Sequence, residues 1–485
     1  MTIPATASPD AGQVSMTGPV TRWTYAAYAL AAALVWAVGA VMWGMPFQLT
    51  DHLVMFLRVQ SAPLSELVRT ALFDPEHLRP LYAVHYKLLS DLSHGHYYLT
   101  FQGFHVAMFA ALVLLSVAAL RVRTVADFAG AAVALVVLLG LHTFTNTLRE
   151  QTILVVTCCA LATTLAFAER PARWRDAAAA LNLLIAMFYV ETGLLVWVIH
   201  TAAYLCGRRG LSRAGLLVLT LLFAMYFGLR FVVLPSGIPP LFPRYTGVGF
   251  AILDPNELQL RFGKRPFVLY AYNILASVSS VLFSEPRVGV FQFTRRLLEG
   301  ELRPWMWLNM LSSMAMTASV VWYLGHLSGW RKWTFSRGHA LVLVGFAVLV
   351  ANAVMSYPYS RDASMSPAGV SYAIAAAPAM AYIVSRLRTQ RAIGRAIVLA
   401  ALMLISAAWC LRTVALTYTL RTTGFVYRND WVGAEDWLRD QGVLPTDERG
   451  LALVRMLRQE AIRVPVPNPG VAQAFADVYL GQGGY

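Results

Sequence analysis

Apolar runs of about 20 residues recur along almost the whole chain, and short polar loops separate them. A run of that length, wound as an α-helix, matches the ~30 Å hydrocarbon core of a bilayer. Hydrophobic residues make up 58% of the 485 residues and charged residues 13%, whereas about a quarter of a soluble domain is charged. The sequence therefore predicts an all-α polytopic membrane protein.

The apolar runs predict about 11 transmembrane helices within residues 25–418. The polar N-terminus, 1–24, is expected to be cytoplasmic, and residues 419–485 are expected to form a small extracytoplasmic tail domain or cap. Apolar residues at helical spacing in 52–69 predict amphipathic surface helices in the first outer loop, 48–96. The predicted spans are 25–46, 97–120, 127–142, 151–168, two within 177–206, 215–234, 304–327, 340–356, 370–386 and 394–418.

The stretch 177–206 is one apolar run of about 30 residues, interrupted only by Glu191, Thr192 and Gly193. A single helix of that length is ~45 Å long, which exceeds the hydrocarbon core. Both flanks of the run are basic, and the positive-inside rule places basic flanks on the cytoplasmic side. We therefore predict a hairpin of two short helices, with Glu191 at its outer tip and Gly193 in the turn.

A second ambiguous stretch is 267–284, within the predicted outer loop 236–303. If this stretch spans the membrane, the basic residues 331–337 are forced outside. If it does not, 331–337 and 386–395 both remain cytoplasmic, as the positive-inside rule favours. We prefer a surface or re-entrant helix for 267–284.

The net charge of +14 is distributed between the apolar runs and not collected in one polar domain. Because the positive-inside rule accounts for this distribution, we do not expect nucleic acid as a partner. Membrane lipids are the expected surroundings. The four cysteines lie in apolar runs without metal-ligand spacing, which predicts buried thiols and no metal site. They are Cys158, Cys159, Cys206 and Cys410.

Polar side chains gather in the loops that this topology places on the outer side. Carboxylates and arginines together suit a reaction on a charged lipid headgroup, because a guanidinium binds phosphate oxygens and a carboxylate accepts a proton. The chain contains no glycine-rich phosphate loop, so an activated donor would come from the lipid. These outer residues are Asp51, Asp74, Glu76, His77, Arg79, Asn146, Arg149, Glu150, Glu191, Arg244, Asp254, Arg265, Arg361 and Asp362.

Each of these residues also has a purely structural interpretation. The alternative role of Asp51 is to end a span as a solvated residue. The alternative role of Arg79, before Pro80, is that of an interfacial anchor. Glu191 is the most informative residue, because a carboxylate inside an apolar run is costly and by default functional. Even so, pinning the hairpin tip is an alternative role for it. A salt bridge with Asp362 is the alternative for Arg361.

Several short motifs occur in a recognisable order. They are T-D-H-L at 50–53, E-H-L-R-P-L-Y at 76–82 and F-H-V-A-M-F-A-A-L-V-L-L at 104–115, followed by Arg149-Glu150 and by Val190-Glu191-Thr192-Gly193. This order resembles the polytopic GT-C glycosyltransferases, with the closest likeness to the protein O-mannosyltransferase-like and tetratricopeptide-linked membrane mannosyltransferases and their bacterial relatives. The ordered motifs cover residues 25–235.

The resemblance implies transfer of a sugar from a polyprenyl-phosphate donor to an acceptor hydroxyl on the outer face of a bacterial plasma membrane. Asp51 would be the general base, with inversion at the anomeric carbon, and no metal would be needed. The acceptor would be a lipid, a glycan or a protein. The residues expected to hold the donor phosphate are Arg79, Arg361 and Arg149. The residues expected to support the site are His52, Glu76, His77, Glu150 and Glu191.

Three departures from the family pattern leave other functions open. Thr50 occupies the position of the first acidic residue, and Val190 occupies that of a lysine before the hairpin glutamate. No tetratricopeptide repeats are found in the sequence. One alternative is a transporter or flippase for a lipid-linked or anionic substrate, which predicts charged residues within the spans and an internal repeat. The other is a GT-C-like scaffold without catalytic activity, which Thr50 favours.

Overall fold

The structure is a computed structural model that describes most of the chain. The described residues are 21–45, 56–60, 62–73, 78–150, 152–234, 246–248, 251–263, 266–283, 290–326, 335–358, 362–440 and 442–463.

The part before residue 235 is helical throughout its described elements. The α-helices are α1 Arg22–Trp43, α2 Leu64–Leu72, α3 Pro80–Ser93, α4 Tyr97–Leu120, α5 Val125–Leu139, α6 His142–Thr145, α7 Ile153–Ala166, α8 Arg173–Tyr189, α9 Leu195–Leu205 and α10 Arg213–Gly228. Three short irregular helices join or extend them: the 3-10 helices Asn146–Arg149 and Glu191–Leu194 and the π-helix Leu229–Val233.

The second half begins with one short hairpin of antiparallel strands, β1 Thr246–Val248 and β2 Ala251–Leu253. The remaining α-helices are α11 Pro255–Phe262, α12 Phe267–Leu282, α13 Val290–Leu298, α14 Pro304–Gly325, α15 Arg337–Met355, α16 Ser366–Arg386, α17 Ala392–Val432, α18 Ala434–Asp440 and α19 Glu448–Arg463. Short 3-10 helices precede and follow α16, at Asp362–Met365 and Leu387–Thr389. Apart from the strand hairpin, the described elements are helical, which confirms the predicted α class.

Within the described residues, six helices are long and apolar enough to cross a bilayer, as expected of a membrane protein. They are Arg22–Trp43, Tyr97–Leu120, Arg213–Val233, Arg337–Met355, Ala363–Arg386 and Ala392–Arg421. Three shorter apolar helices accompany them: Val125–Leu139, Ile153–Ala166 and Phe267–Leu282. The total of about 11 crossings therefore stays a prediction.

Hydrogen bonds between helix ends show that successive long helices run in opposite directions. The Thr24 hydroxyl, at the start of α1, donates to the carbonyl of Val122, just after α4, over 2.5 Å. At the other end of the same pair, the Tyr98 hydroxyl donates to the carbonyl of Trp43. The bundle thus has two ends, and we name them the Arg337 end, where α1 begins, and the Glu191 end, where it stops.

The predicted hairpin in 177–206 is confirmed. The carboxylate of Asp176, at the start of α8, accepts hydrogen bonds from the amide (3.0 Å) and hydroxyl (2.6 Å) of Ser212, in the loop after α9. Both ends of the hairpin therefore lie together at the Arg337 end. The chain reverses at 190–194, where a Cβ on Gly193 would lie 2.0 Å from the carbonyl oxygen of Ala186. Only glycine fits this turn without displacing α8.

The helix α12 contacts the residues that follow α15 and the second half of α14. Close to the middle of α12, the Asn273 side chain donates to the carbonyls of Tyr357 and Pro358, each over 3.1 Å, just past the end of α15. At the end of α12, the carbonyl of Leu282 accepts from the Thr317 hydroxyl, past the middle of α14.

The next helix, α13, returns to the beginning of α14, where the rings of Phe293 and Trp307 meet edge to face at 5.1 Å. The surface or re-entrant placement of 267–284 in the membrane stays a prediction.

The described part of the C-terminal segment, up to residue 463, shares a buried cluster with the first loop. The helix α17 continues past residue 418 to Val432, and the buried side chains of α18 and α19 join those of the first loop. We call this group the loop–cap cluster. Its members are Phe56, Val59, Leu67, Ala83, Tyr86, Leu89, Tyr97, Phe101, Ala434, Leu438, Leu453, Val454 and Leu457. A carboxylate oxygen of Glu460 also accepts from the amide of Tyr98, over 2.8 Å, in the first turn of α4.

The loop–cap cluster gives a first test. Leu457 is fully buried in it, so Leu457→Ala is expected to lower the free energy of unfolding by about 2–5 kcal/mol, through lost burial and a cavity. Thermal unfolding of the purified full chain measures the loss. Leu298→Ala is the matched control, because Leu298 is 83% exposed. Equal melting temperatures for the two variants would show that α19 does not pack against the first loop.

Candidate functional site

The predicted site residues divide into those that the structure describes and those that it does not. The side chains of Arg79, Glu150 and Glu191 are described. Outside the described part of the chain lie Asp51, His52, Glu76, His77 and Arg361, together with the side chain of Arg149. The catalytic role of Asp51 therefore stays a prediction.

Glu191 lies between two arginines from distant parts of the chain. The carboxylate oxygen Oε2 accepts from Nε of Arg79 over 2.8 Å and from its Nη2 over 2.5 Å. The other oxygen, Oε1, accepts from Nη1 of Arg230 over 3.3 Å. The side chains of Arg79, Glu191 and Arg230 are 34%, 24% and 14% exposed. The group is therefore half-buried and open to solvent or a ligand. We call it the two-arginine site.

Arg79 is held in place by the start of α3. Pro80 is the first helical residue, a position where its fixed φ suits a helix and its missing N–H costs nothing. A residue before proline avoids the helical conformation, and Arg79 has φ −129° and ψ 52°. Leu78, on its other side, is buried in the main core. The sequence L-R-P thus directs the guanidinium away from the helix and toward Glu191.

Glu191 is placed by the hairpin turn. The helix α8 ends at Tyr189, and Val190 is extended, with φ −151° and ψ 147°. The 3-10 helix that begins at Glu191 then turns the chain back into α9. This break moves the carboxylate off the axis of α8, at the tip predicted from sequence.

Arg230 is placed by a π-helical turn at the end of α10. The amide of Leu234 donates to the carbonyl of Leu229 over 2.9 Å, which is the i to i+5 bond of a π-helix. Such turns are rare and occur frequently at functional sites. The Tyr226 hydroxyl accepts a second hydrogen bond from Nη1 of Arg230, over 3.3 Å.

Arg230 was absent from the sequence-based predictions. It lies inside the apolar run 215–234, which predicted only a membrane span. The available signal was the charge itself, since an arginine within such a run is costly and by default functional. Its partner, 39 positions earlier in the chain, was not recoverable from spacing.

Aromatic side chains of α3, α4 and α8 pack together close to the two-arginine site. Nδ1 of His85 lies 2.9 Å from the hydroxyl of Tyr189, within hydrogen-bonding distance. The ring of Tyr82 meets that of Tyr189 edge to face at 5.3 Å, and the ring of Phe104 lies 4.5 Å from that of His85. Burial lowers the pKa of His85 to about 4, so its imidazole is neutral near pH 7.

Glu150 lies at the same end of the bundle. Its carboxylate accepts from the Thr152 hydroxyl over 3.3 Å. Burial is the main cause that raises the pKa of Tyr86 well above its usual value, and the charge of Glu150 is a smaller one. The two side chains are thus within electrostatic range. Among the described residues, no three His, Cys, Asp or Glu side chains form a group suited to a metal.

The two-arginine site has the chemistry of an anion-binding site. Among the described side chains, two guanidinium groups share one carboxylate, and each guanidinium has five N–H donors in a fixed plane. Such groups bind phosphate oxygens in pairs. In this arrangement the carboxylate orients both arginines. No family model, no curated protein and no solved structure matches this chain.

The turn that carries Glu191 gives a second test. In Gly193→Ala, the new Cβ would lie 2.0 Å from a backbone oxygen. We expect the variant to lose about 1–3 kcal/mol of stability, because the turn or α8 must shift. Gly228→Ala, at the end of α10, is the matched control, since a Cβ there meets no atom within 4 Å. Melting temperatures measure both, and an unchanged Gly193→Ala variant would contradict the described turn.

Proposed function

We propose that the chain is a membrane glycosyltransferase that moves a sugar from a polyprenyl-phosphate donor to an acceptor hydroxyl. The observation that carries this proposal is the pairing of Arg79 and Arg230 on Glu191. The site lies at one end of a bundle of apolar helices. In a bilayer, the phosphate groups of lipids lie at the depth of such helix ends. The ordered motifs that resemble GT-C glycosyltransferases point to the same chemistry.

The topology that goes with this proposal has eleven crossings of a bacterial plasma membrane, with the N-terminus cytoplasmic and the C-terminus extracytoplasmic. The distribution of charge supports the orientation. Arg121, Arg123, Arg208 and Arg337 gather at the Arg337 end, and the positive-inside rule favours the cytoplasm for such an end. The two-arginine site then faces outward, where acceptors of the cell envelope are found.

In the proposed reaction, Asp51 takes the proton of the acceptor hydroxyl. The acceptor oxygen then forms a bond to the anomeric carbon from the side opposite the phosphate, and the bond from that carbon to the phosphate oxygen breaks. Polyprenyl phosphate leaves with one additional negative charge. Positioned donors that meet such a developing charge lower the barrier, and Arg79 and Arg230 supply them, with Arg149 and Arg361 as further candidates. No metal is required.

The first loop would hold the base in position. Asp51 precedes Phe56 by five positions, and Phe56 is fully buried in the loop–cap cluster. A catalytic group must be held close to its productive geometry by packed neighbours. The C-terminal helices α18 and α19 supply part of that packing.

Charged residues inside candidate spans favour the transport alternative, and they are Arg230 of the two-arginine site and Arg412. Arg412, in α17, is 1% exposed, and its Nη1 donates to the carbonyl of Asn309 and to the hydroxyls of Ser312 and Ser313. Its guanidinium also lies 4.0 Å from the ring centre of Trp409. These contacts join α17 to α14, which accounts for Arg412 as a packing residue.

The test follows release of polyprenyl phosphate by the full chain in nanodiscs supplied with a mixture of polyprenyl-phosphate sugars. Asp51→Asn is expected to lower release by at least about 100-fold, as for loss of a general base. Arg230→Gln is expected to lower it about 100-fold, as for loss of one charge-stabilising donor.

Arg395→Gln is the control, because it removes the same charge from an exposed position in α17. It is expected to retain wild-type release. Lack of release with every donor, alongside tight binding of the lipids, would favour the transporter or the inactive scaffold instead.

A further inference from the structure

Four arginines meet at the Arg337 end, opposite the two-arginine site. Arg121 and Arg123 follow the last residue of α4, Arg208 follows α9, and Arg337 is the first residue of α15. Glu169, just after α7, joins them. We call these five side chains the arginine cluster.

Backbone carbonyls hold the two inner arginines in place. Arg337 donates from Nη1 to the carbonyl of Phe167 and from Nη2 to that of Ala119, each over 2.6 Å. Arg208 donates from Nη2 to the carbonyl of Phe335, also over 2.6 Å. The carbonyls of Phe167 and Ala119 lie at the ends of α7 and α4, where helix carbonyls lack intrahelical partners. These contacts fix the guanidinium groups but do not neutralise their charge.

The cluster carries an excess of positive charge. Glu169 pairs with Arg121 over 2.6 Å and with Arg123 over 3.7 Å. Arg337 lies within electrostatic range of Arg121, Arg123, Arg208 and Glu169. Among the described side chains, these four guanidinium groups lie near two carboxylates, that of Glu169 and that of Asp127, which accepts from the backbone amide of Arg123 over 3.1 Å.

Like charges at this spacing repel one another, and burial adds to the cost. Burial is the main cause that lowers the pKa of Arg208, and the neighbouring Arg121 lowers it further. Within the described part of the chain, Nε of Arg208 and Nε of Arg337 are buried and have no hydrogen-bond acceptor. The outer pair is accessible, because Arg121 and Arg123 are 28% and 41% exposed. The arrangement favours a bound anion with several acceptor oxygens.

The position of the cluster indicates which anion reaches it. Arg337 begins one candidate span and Arg121 directly follows another. Residues at the ends of transmembrane helices lie at the depth of the lipid headgroups. Basic pockets between helix ends on the cytoplasmic side bind anionic headgroups.

We propose that the arginine cluster binds the phosphate of an anionic phospholipid headgroup. Arg121 and Arg123 contact the phosphate from the accessible side, while Arg208 and Arg337 supply positive charge behind it. The site lies at the opposite end from the two-arginine site and does not rest on the proposed transferase activity. Its occupancy stabilises the junction of α4, α7 and α15, because it relieves repulsion among the arginines that join these helices.

The experiment measures the melting temperature of the purified full chain in detergent with added phosphatidylglycerol, phosphatidylcholine or inorganic phosphate. Phosphatidylglycerol is expected to raise the melting temperature, and phosphatidylcholine is not. The rise should shrink as salt is added, since salt screens charge. A rise with inorganic phosphate alone would assign the site to a soluble phosphate compound, whereas a rise only with phosphatidylglycerol assigns it to the lipid.

Substitutions locate the effect. Arg121→Gln and Arg123→Gln are each expected to weaken binding of phosphatidylglycerol about fivefold, as expected for one arginine near a membrane surface. Arg173→Gln is the matched control, because Arg173 is exposed at the same end and outside the cluster.

Native mass spectrometry of the wild-type chain, which needs no variant, counts the lipids retained. Equal retention of phosphatidylglycerol and phosphatidylcholine would overturn the proposal. An equal loss of binding in Arg173→Gln and in the cluster variants would also overturn it.

Discussion

The ion pairs of Glu191 with Arg79 and Arg230 unite three segments that are far apart in the chain. Arg79 directly precedes α3 in the first loop, Glu191 forms the tip of the helical hairpin, and Arg230 lies in the π-helical turn after α10. A half-buried carboxylate is costly unless charged partners surround it. Two neighbouring guanidinium groups repel each other unless an anion lies between them. The three residues therefore depend on one another. The pair of arginines that they hold in place is the basis of the proposed phosphate site.

The surrounding helices and turns hold these three segments in position. The narrow turn at Gly193 fixes the tip of the hairpin, and the π-helical turn after α10 directs Arg230 toward it. The first loop is fixed from the opposite side by α18 and α19, which contribute to the same buried cluster. Two helices from the last part of the described chain thus pack against a loop near its beginning.

The sequence predicted those features that leave a local or physical trace. The length of 177–206 excluded a single helix, so the hairpin and the position of Glu191 followed from helix rise and membrane thickness. Charge placement favoured a surface or re-entrant helix for 267–284, and this membrane placement stays a prediction.

Other features depend on contacts between distant residues. Arg230 lies in an apolar run and was not predicted as a site residue. Its pairing with Glu191 depends on how α8 and α10 pack. The docking of α19 on the first loop was likewise not predictable. An apolar helix face predicts that this face is buried, but it does not identify the segment that buries it.

The most direct test of the central claim is a cryo-electron microscopy map of the full chain in nanodiscs with polyprenyl phosphate bound. The proposal predicts density for the phosphate within about 3 Å of the guanidinium groups of both Arg79 and Arg230, the distance of a hydrogen bond. Glu191 should contact both arginines in the same map. A phosphate bound elsewhere, with Arg79 and Arg230 separated from it and from each other, would contradict the claim that these two arginines form one phosphate site.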